Sequence, residues 1–173
     1  METGKNYTHT NVSIYQAIAE EAYAEMVQFD NENKRPKEDE SDGWIITCDS
    51  NNTSLKKAMI VIIFTGMWLD ALLHIQIMER CGEGTFKRLG RRKYEDKLKF
   101  LGVTDIALLT NVKKFRATRN ELVHEKAFLD NAQIKIAQKE ARLANEIMSQ
   151  LQPFFCRNKA TKSIQKDARS SRS

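Results

Sequence analysis

Helix breakers are scarce in this chain, with seven Gly and two Pro in 173 residues. Little therefore interrupts long helices, and the 41% apolar and 29% charged composition is that of an ordinary globular domain. Cysteine is also sparse. Cys48, Cys81 and Cys156 are widely spaced and odd in number, suggesting neither a disulfide framework nor a zinc site. No P-loop is present, because Gly84-Thr85 lacks the Gly-Lys-Ser/Thr ending, and nucleotide hydrolysis is disfavoured. The N-terminal residues lack the basic-then-apolar order of a signal peptide, so the cytosol is the expected compartment and the Asn-x-Ser/Thr triplets at Asn6, Asn11 and Asn51 read as chance. No cofactor or metal is expected. The body also lacks a net charge: Arg157, Lys159, Lys162, Lys166, Arg169 and Arg172 against Asp167 carry the whole excess of +5.

The length fits one domain, expected over residues 1–156, followed by a disordered basic tail over 157–173. The expected fold is all-α, an up-and-down bundle of four main helices plus a short one. Asn11 or Ser13 caps a first helix to about Phe29, with Ile14, Ala17, Ile18, Ala22, Met26 and Phe29 on its apolar face. Asp30 to Asp42 contains no apolar residue and reads as a mobile acidic loop within a 30–53 connection, with Trp44-Ile45-Ile46 tucking back onto the core. Asn51 to Ser54 offers caps for a second helix to Cys81, stopped by Gly82. Its run AMIVIIFTGMWLDALLHIQIM is long enough for a membrane, but Thr65, Asp70, His74 and Gln76 interrupt it. We read it as a core helix, with no membrane partner. Gly66 suits a close helix approach, from this chain or another subunit, and Asp70 and His74, four apart, share a face as a structural pair or as polar groups lining a shared interface rather than a metal site.

Gly82 to Thr85 reads as a turn leading into Lys87, Arg88, Arg91, Arg92 and Lys93, a cluster suited to a phosphate backbone. A short helix follows over Tyr94 to Leu101, closed by Gly102. Thr104 or Asp105 then caps a longer helix through Ile106, Leu109, Val112, Phe115, Leu122 and Val123. The last helix is expected over Asn131 to Gln152, ended by Pro153.

The chemistry concentrates in Phe115 to Glu125. An Arg binds phosphate through two parallel hydrogen bonds, and a His takes or returns a proton near neutral pH. These are the needs of metal-independent RNA cleavage, in which a base deprotonates the 2′-hydroxyl and an acid protonates the leaving 5′-oxygen. Arg119 and His124 are five residues apart, about 140° around an ideal helix. One straight helix does not aim both at one phosphate, so either the helix ends or bends near His124, or two copies face each other in a dimer and bring two His and two Arg into one cleft. Asn120, four residues before His124, orients the imidazole or binds substrate, and Arg116 joins Lys87, Arg88, Arg91 and Arg92 as expected nucleic-acid contacts.

At Arg119-Asn120-Glu121-Leu122-Val123-His124 the chain resembles the HEPN superfamily, whose pattern is Arg, a polar residue often Asn, three to five more residues, then His. The resemblance spans roughly residues 54 to 152. It implies a helical bundle that dimerises to assemble the site and, in catalytic members, a metal-independent endoribonuclease leaving a 2′,3′-cyclic phosphate. Carried over by position, Arg119 contacts the scissile phosphate, His124 acts as acid or base, and Asn120 supports them. Asp70 is a possible counterpart of a polar residue on the family's second helix. The Tyr that follows the His in some toxin members is absent, since Glu125, Lys126 and Ala127 stand there. The expected function is an RNA-cleaving toxin or antiviral defence effector, with an RNA substrate, a second copy of the chain, and a possible antitoxin or defence-system partner. The alternatives are a catalytically silent helical dimer that binds protein or nucleic acid, and a structural role in which Arg119 pairs with a carboxylate.

Overall fold

The computed structural model describes residues 11–36, 44–46, 49–124 and 137–155, without the side chains at 36, 44–46, 123 and 124. The chain is all-α. Its elements are α1 (Val12–Glu32), a ribbon of β1 (Lys34–Pro36) and β2 (Trp44–Ile46), α2 (Thr53–Leu89), α3 (Tyr94–Phe100), α4 (Ile106–His124) and α5 over 137–155. The expected short and long helices are all present. Residues 37–43 of the acidic loop, 131–136 of the last helix, and the 157–173 tail lie outside the described residues.

Helix α1 buries Ala19, Ala22 and Met26, spaced three and four apart, against α2. Ile14 is 53% exposed, so the inward stripe lies to one side of the one expected. The Asn11 side chain makes no cap. Its Nδ2 donates instead to Tyr15 Oη at 3.2 Å. Beyond α1, Lys34 pairs with Ile46, Arg35 with Ile45 and Pro36 with Trp44, so the ends of the expected loop form an antiparallel ribbon. Asp30 accepts from Ser54 Oγ at 2.9 Å and from Arg142 Nη2 at 2.6 Å, tying α1 to α2 and α5.

The cap of α2 is Asp49, not the Asn-Thr-Ser run after it. Its carboxylate accepts from the Thr53 and Ser54 amides, both at 2.8 Å, while Asn52 takes a left-handed φ of 52°. Among the described residues α2 is the one helix long and apolar enough to cross a membrane. Here Val61, Ile62, Trp68, Leu69, Leu73 and Ile77 form the centre of the core.

Gly82 interrupts α2 with φ 77° and ψ 172°, a conformation that L side chains rarely adopt. The expected stop at Gly82 is present, but residues 83–89 resume as helix instead of a basic loop. The break is sharp. His74 and Phe86, twelve residues apart, would be about 18 Å apart along a straight helix. Their ring centroids are 4.1 Å apart with planes at 17°, so the second arm folds back along the first.

Gly102, at φ 93°, closes α3: its amide reaches Lys99 O and the Val103 amide reaches Leu98 O, both at 3.0 Å, a Schellman arrangement completed by buried Val103 and Leu98. Asp105 caps α4 by accepting from the Leu108 amide at 3.0 Å. Leu109, Val112 and Phe115 enter the core as expected, but Ile106 is 79% exposed. Helix α5 buries Ala137, Ala141, Ala144, Ile147, Met148 and Leu151, and it continues past Pro153 to residue 155. A proline removes one hydrogen bond to the carbonyl four residues back. Burial of Phe155, with the Arg80 guanidinium 5.6 Å above its ring, holds the final turn.

Candidate functional site

Phe115 is fully buried, and Arg119 one turn later on α4 faces the same way, towards α2. The guanidinium lies on Gly66. A Cβ there would stand 2.2 Å from Arg119 Nε and 2.6 Å from Cζ, so any larger residue forces the guanidinium out of this seat. The close approach expected at Gly66 is thus made by an arginine side chain. Arg119 Nη1 donates to Tyr94 Oη at 2.9 Å, and that hydroxyl donates to Asp70 Oδ2 at 2.8 Å. The Arg119 to Asp70 separation is 3.9 Å, a charge pair with the phenol between its members. Arg119 Nε, pressed against Gly66, has no hydrogen-bond partner among the described residues. Asp70 and Arg119, both picked out from sequence, are therefore brought together.

Tyr94 joins them. It opens α3 and is buried. Burial, and then the Asp70 carboxylate, push its phenol well above the usual tyrosine range, against the opposing pull of Arg119. The hydroxyl keeps its proton and directs it to Asp70 as a hydrogen-bond donor. Nothing in the spacing marked this residue, which lies 25 positions before Arg119.

Glu95, next on α3, takes the other arginine of α4. Arg116 Nε and Nη2 reach its two carboxylate oxygens at 3.3 and 3.2 Å, a fork-to-fork pair. Burial works to raise the Glu95 carboxyl, yet its own backbone amide and Arg116 hold it below the usual glutamate range. The arginine expected to meet nucleic acid is thus committed to a buried carboxylate. Of the remaining expected contacts, Lys87 pairs with Glu83 at 2.8 Å one turn away, and Arg88, Arg91 and Arg92 are exposed.

Asn120 is exposed on α4. The α4 backbone stays helical through His124, whose side chain lies outside the described residues. Between positions 119 and 124 the helical backbone has no bend, and His124 is its last described residue.

Asp70 also lines an open groove of about 600 Å3, with Asn11 just before α1, Tyr15 from α1, Met67, Ala71, His74, Ile75 and Phe86 from the two arms of α2, Gly90, and Lys97 from α3. Asp70 and His74 share this wall, but Asp70 binds Tyr94 while His74 stacks on Phe86. Among the described residues no cluster of three His, Cys, Asp or Glu is placed to hold a metal ion. Compared with known protein families, characterised proteins and solved structures, the chain has no match.

Proposed function

We propose that the protein is a metal-independent endoribonuclease in which Arg119 holds the scissile phosphate and His124 transfers the proton, with 2′-hydroxyl attack leaving a 2′,3′-cyclic phosphate. The seating of Arg119 carries this reading. A permanently charged guanidinium, placed against Gly66 and oriented by Tyr94 and Asp70, meets a phosphate without first having to be ordered. Its side chain remains 24% exposed, so substrate can reach it. With positions 119 and 124 about 140° apart around α4, we assign the working form as a homodimer, whose two copies bring two Arg119 and two His124 to one cleft, so that one imidazole takes the 2′-hydroxyl proton and the other gives one to the leaving 5′-oxygen. Asn120, exposed beside Arg119, supports the substrate or the imidazole. A toxin or antiviral effector in the cytosol is the setting we infer from this chemistry.

The same seating favours one other reading. Arg119 paired with Asp70 through Tyr94 is also what a silent helical module would hold for stability. Cleavage of cellular RNA in EDTA by the intact protein separates the two, beside Arg119→Ala, His124→Ala and Gly66→Ala variants checked for folding. Under the nuclease reading, cutting with cyclic-phosphate ends is lost in the first two. It falls at least tenfold in the third, where the guanidinium is displaced rather than deleted, as expected when a positioned charge moves by about 1 Å. Equal cutting by His124→Ala and the parent, or none by the parent, rejects it in favour of the binding module.

A further inference from the structure

The groove beside Asp70 has a flat aromatic wall that the phosphate chemistry does not use. His74 and Phe86 stack face to face, 4.1 Å apart and nearly parallel. Reaching that arrangement requires the chain to fold back at Gly82, so the pair is built by tertiary structure and not by neighbouring turns of one helix. His74 is exposed and Phe86 half-buried, and the pair opens into a space of about 600 Å3. Such a volume lies within the range of ordinary small-molecule sites and needs no rearrangement to be entered.

The surroundings select the ligand class. Gly90, itself in the groove wall, is followed directly by Arg91 and Arg92, both exposed. Lys97 lines the same groove. An aromatic platform beside a run of cations is the combination by which proteins hold single-stranded nucleic acid: bases stack on the rings, and the backbone follows the charge. At the other end the groove reaches Asp70, the residue tied through Tyr94 to Arg119, so the platform and the phosphate-binding arginine share a side chain.

We propose that this groove is a nucleobase subsite for single-stranded RNA, in which one base extends the His74–Phe86 stack and its flanking phosphates run over Arg91 and Arg92, the exposed cations next to Gly90 of the groove wall. The choice of RNA rests on the ribonuclease reading of Arg119. The platform itself rests on the ring geometry and the charge beside it.

The test is fluorescence anisotropy of a labelled single-stranded RNA about ten nucleotides long, titrated with the full chain carrying His124→Ala so that binding is read without cleavage. His74→Ala and Phe86→Leu are each expected to weaken binding roughly tenfold, the effect of removing one stacked base–ring pair. His74→Phe, which keeps an aromatic face without the imidazole, is expected to bind within about twofold of the parent. Phe86→Leu keeps an apolar side chain in the partly buried position, and thermal unfolding of each variant separates weakened stacking from a damaged fold.

Unchanged binding by folded His74→Ala and Phe86→Leu proteins overturns the proposal even if the protein cleaves RNA. Absence of RNA binding by the parent overturns it too, and recovery of a protein ligand in that groove would assign the surface to a peptide. Tight, stack-dependent binding by a protein that cuts nothing upholds the subsite while rejecting the nuclease.

Discussion

Glu95 and Glu140 face α4 from opposite sides, against Arg116 and beside Thr118, and their environments move them in opposite directions. Glu95 is held low by its backbone amide and Arg116, so its share of stability is complete above the unfolded-state value and lost as pH falls through the lower folded value. Glu140 is raised, chiefly by burial, and its Oε2 has no partner among the described residues. For it, the folded state binds the proton more tightly, so its cost is present at neutral pH and relieved as pH falls through the raised value. Urea unfolding at neutral and mildly acid pH should show both effects. Arg116→Gln is expected to destabilise by about 2 kcal/mol at neutral pH, the partly exposed guanidinium keeping the loss below that of a fully buried pair, and by less in acid. Glu140→Gln is expected to stabilise by about 1 kcal/mol at neutral pH, with the gain disappearing in acid.

At the scale of the element, the decisive feature is the fold in α2. Gly82 and Gly84 both have open space where a Cβ would go, yet only Gly82 has a positive φ. The sign of an alanine substitution should therefore reverse between them. Gly82→Ala is expected to cost about 1–3 kcal/mol in thermal unfolding through backbone strain, and to loosen the His74–Phe86 stack that depends on the reversal. Gly84→Ala, in helical backbone, is expected to stabilise by roughly 0.5–1 kcal/mol. Equal effects at the two positions would mean that the reversal does not depend on the conformation of Gly82. Helix α3 has a comparable role on a smaller scale: its seven residues present Tyr94 and Glu95 side by side, and each receives one arginine of α4.

For the whole molecule, charge is segregated. The segment after Cys156, six basic residues against Asp167, accounts for the net +5, while residues 1–156 balance at zero and carry a local patch at Arg88, Arg91 and Arg92. If both meet RNA, truncation after Cys156 should weaken binding and flatten its salt dependence, by about 0.7 in log-log slope for each phosphate of a single strand that the tail had neutralised. An unchanged slope would assign all the electrostatic attraction to the patch. What the sequence determined by itself was whatever local physics controls: the all-α class from scarce breakers, an interruption at Gly82, the closing role of Gly102, a cap at Thr104 or Asp105, of which the structure uses Asp105, and the Arg119-Asn120-x3-His124 spacing. Helix periodicity also picked most of the core, failing at Ile14, Ala17 and Ile106, which are exposed because spacing alone does not say where among the described residues a helix face meets a neighbour. Only tertiary structure decided the partners across distance. It placed Tyr94 between Asp70 and Arg119, committed Arg116 to Glu95, laid a guanidinium on Gly66, and folded Phe86 back onto His74. Spacing along a chain specifies which side chains share a helix face. Which face meets which depends on how the helices pack, and that is a property of the assembled core.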